Sequence, residues 1–519
     1  MELDRDARML AMAKIERPFF PIIYVRGYAM TRDEIVQTTS TPYMGFEAGS
    51  TKVRQAQDGS IVKFVFESPL VRLMKDYNYR DVYAAGSEQS DKLPARSLVI
   101  HRYYDEADPA FGSGKTPSIT EAATALGQRI TRLRDSVCGE DVAARKAFRV
   151  YLVAHSMGGL ICRCLLQNPD VATAEIRAMV DKVFTYATPH NGIELGGINV
   201  PSFLSMNDMN NFSRPRMADY LNTPIDQVNT LGNCGFPAAR FFCLVGTNSR
   251  DYAVAHGLSS MAVGQMSDGL VRIENAYVAG CPRAFVNRSH SGYFGIVNSE
   301  DGYQNLVRFL FGDMAATGRL EFKALPFPPE VERARKQGKK VETAYYIETT
   351  LAPRGAYTYT LTERSKAQES AVRRQYSELF DAGGNLIKDA RSPTLFSAFL
   401  DSSKILAGSE VAFSIDLAVL NAGYEIDGAL FLKQHIPGEY LFRDTVVLFA
   451  KRGEDGQWIL RYVMSDDHWA TDKKSAAALA GLSNSASRVT MTSATTFSLP
   501  LSSNKGFQAE LIITLAAWE

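Results

Sequence analysis

The sequence predicts an α/β fold, a mostly parallel sheet with helices on both faces, followed by a C-terminal antiparallel β-sandwich. Three observations carry this. Over 1–324, short apolar runs alternate with longer amphipathic ones, the rhythm of strand, helix and strand. At 325–342 (LPFPPEVERARKQGKKVE) prolines give way to charges, the composition of a domain junction. Over 343–519 the apolar period falls to two: Val411, Phe413, Ile415, Leu417 and Val419 alternate with smaller or polar residues, as do Phe507, Ala509, Leu511, Ile513 and Leu515. With 519 residues, 45% of them apolar and 22% charged, the chain has ample material for such cores.

In order, the strands are expected at Pro21–Gly27, Leu98–Tyr104, Arg149–Ala154, Lys182–Ala187, Arg240–Gly246 and Ala284–Val286, most of them continuously apolar, as strands covered on both faces are. Helices fall between them. The clearest spans Ile119 to Val137, where Ser118 and Glu121 form an S-x-x-E capping box. Two intervals, 28–95 and 191–239, are too long for simple connections and read as cap or lid inserts; Phe203, Leu204, Met206, Met209, Phe212 and Met217 would supply an apolar cap. In the sandwich, Asp381–Asn385 and Gly453–Gly456 are turns between strands, and Trp458, Trp469 and Trp518 are expected in its core.

Lys plus Arg number 57 and Asp plus Glu 57, so no net field or basic run draws the chain to nucleic acid, and none is expected as a partner. The six cysteines, with no CxxC pair, read as reduced thiols, and neither a metal nor a cofactor is expected. The apolar run at 9–13 is short for a signal-peptide core, and no stretch suits a transmembrane helix. A cytoplasmic location is the expectation, with signal-less export and a peripheral membrane contact left open.

The chemistry concentrates at Val150-Tyr-Leu-Val-Ala-His-Ser-Met-Gly-Gly-Leu160, an apolar strand running through A-H-S-M-G into a helix. The five-residue pattern alone would turn up about 0.4 times by chance in a chain of this length. Its context is specific. A serine on a sharp strand-to-helix turn needs near-absent side chains two positions away on either side, and Ala154 and Gly158 provide them. A serine is inert at its own pKa, so a histidine base and a carboxylate behind it must follow downstream. Among seven histidines, His290 lies after the last strand and before an amphipathic helix, Tyr303 to Phe311. Asp268, in Ser267-Asp-Gly-Leu-Val-Arg272, is the acid, with Asp251 and Glu274 as runners-up. The backbone N–H of Met157 and that of Tyr28, which follows Gly27, are the natural oxyanion donors.

IIYVRGY (22–28), VAHSMGG (153–159), YATPHNG (186–192), SDGLV (267–271) and NRSHSGYFGIV (287–297), in this order, resemble the α/β-hydrolase superfamily, closest to bacterial lipases and esterases. The resemblance covers about 18–315. It implies Ser156, Asp268 and His290 as triad, Tyr28 and Met157 as oxyanion donors, and Thr188-Pro189-His190 as a wall of the site, His190 touching substrate. One departure stands out: Arg26-Gly27 replaces the usual His-Gly, placing a fixed charge beside the oxyanion loop. It would either pair with a carboxylate of the following insert or bind an anionic part of the substrate. The activity implied is hydrolysis of a small-molecule or lipid acyl ester through an acyl-enzyme on Ser156. A thioesterase or acyltransferase would carry the same residues, and a binding protein on an inactive hydrolase fold is the rival from another class. No ligand is assigned to the sandwich.

Overall fold

The computed structural model describes residues 15–27, 50–55, 61–66, 69–84, 87–88, 92–101, 103, 106, 113–195, 198–199, 209–250, 266–291, 295–354, 359–381, 383–387, 392–405, 409–427, 433–465, 481 and 483–519. They form two compact units, one of 1–283 with 287–311 and 519, the other of 312–518 with 284–286.

One sheet of seven strands organises the α/β part of the chain: β1 (Ile22–Val25), β2 (Arg80–Asp81), β3 (Ser97–His101), β4 (Val150–His155), β5 (Val180–Tyr186), β6 (Phe241–Gly246) and β7 (Arg283–Val286), in the order β7-β6-β5-β4-β1-β3-β2. Pairs from β2 to β6 are parallel, with Val25 of β1 opposite Ala154 of β4 and His101 of β3. Strands buried on both faces need apolar side chains at every position, and β1, β3, β5 and β6 are buried throughout. Chain order reverses at β1, between β3 and β4; the crevice beyond the carboxyl ends of strands at such a point is where open α/β sheets bind ligands.

The helices position the site. Helix α1 (Ile119–Cys138) opens with the expected capping box: the Ser118 hydroxyl accepts from the Glu121 N–H at 3.2 Å, and the Glu121 carboxylate accepts from the Ser118 N–H at 2.8 Å. Helix α2 (Met157–Gln167) leaves β4 directly, and all its residues are buried. Arg163, fully buried within it, donates Nε–H to Gln167 Oε1 at 2.8 Å, Nη1–H to the His190 carbonyl at 2.8 Å, and Nη2–H to the carbonyls of Val228 (2.7 Å) and Thr230 (2.6 Å). A buried guanidinium is tolerable only when its donors are satisfied, and here they staple three segments together. Helix α3 (Glu300–Phe311) ends on Lys182, whose Nζ donates to the carbonyls of Phe309 (3.1 Å) and Leu310 (2.9 Å), a cation at the negative end of the helix. Burial pushes its ammonium down to about 7.

Between β5 and β6, the segment expected as an apolar cap contributes instead to the core where it is described: Phe212 and Met217 are buried in the main hydrophobic cluster of the unit. Met209 belongs to a 3-10 turn (Met209–Phe212), while Phe203, Leu204 and Met206 lie outside the described residues.

The second unit is a sandwich of two antiparallel sheets over one core. One is built around β8 (Met314–Ala324), with β11 (Thr394–Leu400) on one side and β16 (Gln508–Ala517) then β15 (Thr496–Ser502) on the other. The other runs β10 (Thr362–Arg364), β9 (Val341–Pro353), β12 (Val411–Asp427), β13 (Tyr440–Arg452) and β14 (Trp458–Ser465), with shorter strands attached. Inward residues of both sheets, among them Leu320, Phe322, Ile347, Phe413, Leu448 and Ile513, form one cluster. Strand β8 therefore belongs to the sandwich although its sequence falls before the expected junction at 325–342, and that junction holds a charged helix, Pro329–Lys336. Trp458 is buried in the core, Trp518 packs against Phe399 with ring centroids 4.6 Å apart, and Trp469 lies outside the described residues.

Candidate active site

Ser156 stands at the turn from β4 into α2 with φ 52° and ψ −126°, a region costly for any residue with a side chain. Its N–H donates to the Tyr186 carbonyl at 2.9 Å and its own carbonyl accepts from Gly159 N–H at 3.0 Å, so both neighbours of the turn pin it. Small residues make room. A Cβ on Gly158 would lie 2.1 Å from the Val25 carbonyl oxygen, one on Gly159 would lie 2.2 Å from Thr188 Oγ1, and one on Gly27 would lie 2.7 Å from Ser156 Cβ. A side chain at any of the three would displace its neighbours: backbone at Gly158, the Thr188 side chain at Gly159 and the nucleophile's own Cβ at Gly27. Thr188 also donates its hydroxyl to the Ser156 carbonyl at 2.8 Å.

His290 Nε2 lies 3.0 Å from Ser156 Oγ, and its Nδ1 lies 2.9 Å from Asp268 Oδ2. The carboxylate accepts, so Nδ1 carries the proton and Nε2 presents its lone pair to the serine hydroxyl. Asp268 Oδ1 accepts the N–H groups of Leu270 (3.0 Å) and Val271 (2.8 Å), and the His290 N–H donates to the Asp268 carbonyl at 2.9 Å. All three residues are at least nine-tenths buried. Of the other acids considered, Glu274 is exposed and paired with Arg272 at 3.4 Å, and Asp251 lies outside the described residues.

The Met157 N–H opens helix α2 at its positive end, beside Ser156. Tyr28 lies outside the described residues; its predecessor Gly27 is the residue whose added Cβ would meet Ser156. His190 departs from the expected substrate contact. Its imidazole is fully buried, 3.0 Å from Thr185 Oγ1 and edge-on to Phe241. Because the Thr185 hydroxyl donates to the Phe242 carbonyl, His190 Nε2 is the donor in that pair. Burial, then the Arg163 charge, holds its basicity well below that of a free histidine, so it is a neutral core imidazole.

His155, the residue before the serine, bonds to His290: its Nε2–H donates to the His290 carbonyl at 2.9 Å, with the two ring centroids 5.1 Å apart. Burial, the neighbouring His290 and Arg26 bring its pKa down to about 3. Among the described residues, no group of three or more His, Cys, Asp or Glu is disposed to hold a metal ion, and no helix is long and apolar enough to cross a membrane.

Parallel strands in this order, with a strained serine between strand and helix and a histidine beyond the last strand, decide the architecture. The chain carries an α/β-hydrolase fold. Residues 117–232 match the family model described as a PGAP1-like alpha/beta domain. Among solved structures, this chain is similar to a lipase of Bacillus licheniformis (14% identity, 57% of this chain and 92% of that one, TM-score 0.28). It is also similar to a phospholipase of Legionella pneumophila (13%, 77% and 86%, TM-score 0.32). A metagenomic carboxyl esterase is a third such structure (13%, 53% and 65%, TM-score 0.30). Among curated proteins none matches.

Proposed function

We propose that this α/β-hydrolase is a serine hydrolase of carboxylic esters working through an acyl-enzyme on Ser156. The observation that carries the reading is the unbroken chain Ser156 Oγ, His290 Nε2, His290 Nδ1, Asp268 Oδ2, with contacts of 3.0 and 2.9 Å, on a serine held in a strained turn. As Oγ bonds to the ester carbonyl carbon, its proton passes to His290 Nε2, and the carbonyl oxygen takes the negative charge against the Met157 N–H and a second donor from the chain after Gly27. The tetrahedral species collapses as the alcohol's C–O bond breaks, and His290 gives the alcohol its proton. Water then repeats the sequence: it loses a proton to His290 while bonding to the acyl carbon, Ser156 Oγ leaves with that proton, and the acid departs. Asp268 keeps the imidazole in one tautomer throughout.

The acyl part we assign to an apolar, lipid-like chain. Met266, two positions before Asp268, keeps 42% of its surface exposed, an apolar side chain left at the surface beside the triad acid. The test is hydrolysis of p-nitrophenyl esters of increasing acyl length by the wild type and by Ser156→Ala. The variant is expected to lose activity by about 10⁴-fold or more, with the wild type favouring longer chains. Activity that survives in Ser156→Ala would overturn the mechanism, and an optimum at acetyl would overturn the lipid assignment alone.

A further inference from the structure

Arg26 follows β1 directly, and no anion among the described residues answers its charge. Its backbone is fixed. The Arg26 carbonyl accepts the Tyr103 hydroxyl at 3.0 Å and packs so closely on α2 that a Cβ on Gly158 would lie 2.7 Å from it. Its side chain is half-buried, and Nη1 is sealed from solvent with no hydrogen-bond partner. One expectation for this residue was an ion pair with a carboxylate of the following insert; among the described residues Arg26 forms none. A guanidinium has five N–H donors and a permanent charge, and withdrawing one donor from water without a partner costs about 1–3 kcal/mol, more for a charged group. Such a cost is recovered when an anion arrives.

The charge is felt at the centre of the site. Arg26 lies close enough to lower the basicity of His155, which donates to the His290 carbonyl, and to act on the buried Tyr24 phenol. The carboxylate at this centre, Asp268, is occupied by His290 and two backbone N–H groups. The next residue, Gly27, is the one that abuts Ser156.

Resting on the esterase reading above, we propose that Arg26 binds an anionic group on the alcohol side of the substrate, so that the enzyme cleaves acyl esters of phosphate- or carboxylate-bearing alcohols in preference to neutral ones. The acyl chain is apolar, so the anion belongs to the other half of the ester. An oxyanion of this kind meets the planar fork with paired, charge-assisted hydrogen bonds, which a lysine reproduces only as a point charge.

The experiment compares kcat/KM for two esters of the same chain, a monoacylglycerol and its 3-phosphate, in the wild type, Arg26→Met and Arg26→Lys. The wild type should favour the phosphate ester by about tenfold or more, Arg26→Met should bring the ratio close to one, and Arg26→Lys should fall between. A wild-type ratio at or below one overturns the proposal whatever the variants do, and so does a ratio that Arg26→Met leaves intact. Inorganic phosphate distinguishes the source of the anion. If it inhibits the neutral ester only at concentrations far above the KM of the phosphate ester, the site reads a headgroup; equal affinity for free phosphate would make Arg26 a site for a free anion and overturn the substrate assignment. Failure of the esterase reading looks different: neither ester would be cleaved, and no serine-directed phosphonate would label the wild type.

Discussion

Ser156 keeps a backbone conformation that costs on the order of 1–3 kcal/mol, and the structure holds it there with two backbone hydrogen bonds and three glycine contacts. Asp268→Asn should leave the fold intact and lower kcat by about 10⁴-fold, because the amide would present its donor to Nδ1 and favour the wrong tautomer; steady-state kinetics measure it. The juxtaposition of Ser156, Asp268 and His290 was legible because a set of this kind needs a particular residue type in a particular chain order: a serine between Ala154 and Gly158, then an acid, then a histidine after the last strand. His155 and His190 were not. One donates to the His290 backbone carbonyl and the other to Thr185, and contacts of this kind leave no signature in residue spacing. His155, His190 and His101 share a property that predicts a pH response: burial lowers all three, His155 to about 3 and His101 to about 4. Below a free histidine's pKa of about 6.5, the unfolded chain binds protons that these folded imidazoles refuse, so stability falls as pH drops from about 7 towards 4. His101 alone should contribute a loss of about 2 kcal/mol at pH 5. Thermal melts across this range should show it, and a Tm that is flat down to pH 5 would contradict the buried neutral imidazoles.

Helix α2 is the element on which the site depends. Its amino end supplies the Met157 N–H, its first turn sets Gly158 against the Val25 backbone and Gly159 against the Thr188 side chain, and its second turn carries Arg163. Gly158→Ala should cost about 1–3 kcal/mol or more, as overpacking does, and should disturb the Ser156 turn, so activity should fall along with Tm. Arg163→Lys should also destabilise, since an ammonium has three donors and no fork to reach Gln167 and the carbonyls of His190, Val228 and Thr230 together. A lysine variant with wild-type Tm would show that the staple contributes little. The helix itself was readable from its apolar run and the Asn168-Pro169 stop, but the role of Arg163 was not, because three of its four acceptors are main-chain oxygens.

At the scale of the molecule, each unit has its own buried cluster, one in the α/β sheet and one between the sheets of the sandwich. The placement of β8 decides where the chain can be cut. Its hydrogen bonds run along β16 and β11, so it lies inside its sheet. The signal was present, since Met314, Ala316, Leu320 and Phe322 are buried at a period of two, but the prolines and charges of 325–342 outweigh it in a reading by composition. A chain starting at 312 should give a folded β-protein by circular dichroism, whereas one starting at 325 would strip β11 of its sheet neighbour and open one edge of β16, and should aggregate. If both pieces fold equally well, β8 is dispensable and its place in the sandwich core is misjudged.

The most direct test of the central claim is the site of covalent labelling by a fluorophosphonate, located by mass spectrometry in the full-length protein and in His290→Ala. The Ser156–His290 contact of 3.0 Å predicts a single phosphonylated residue, Ser156, with labelling slowed by orders of magnitude in the variant. Labelling at another residue, or none at Ser156 in the wild type, would contradict it.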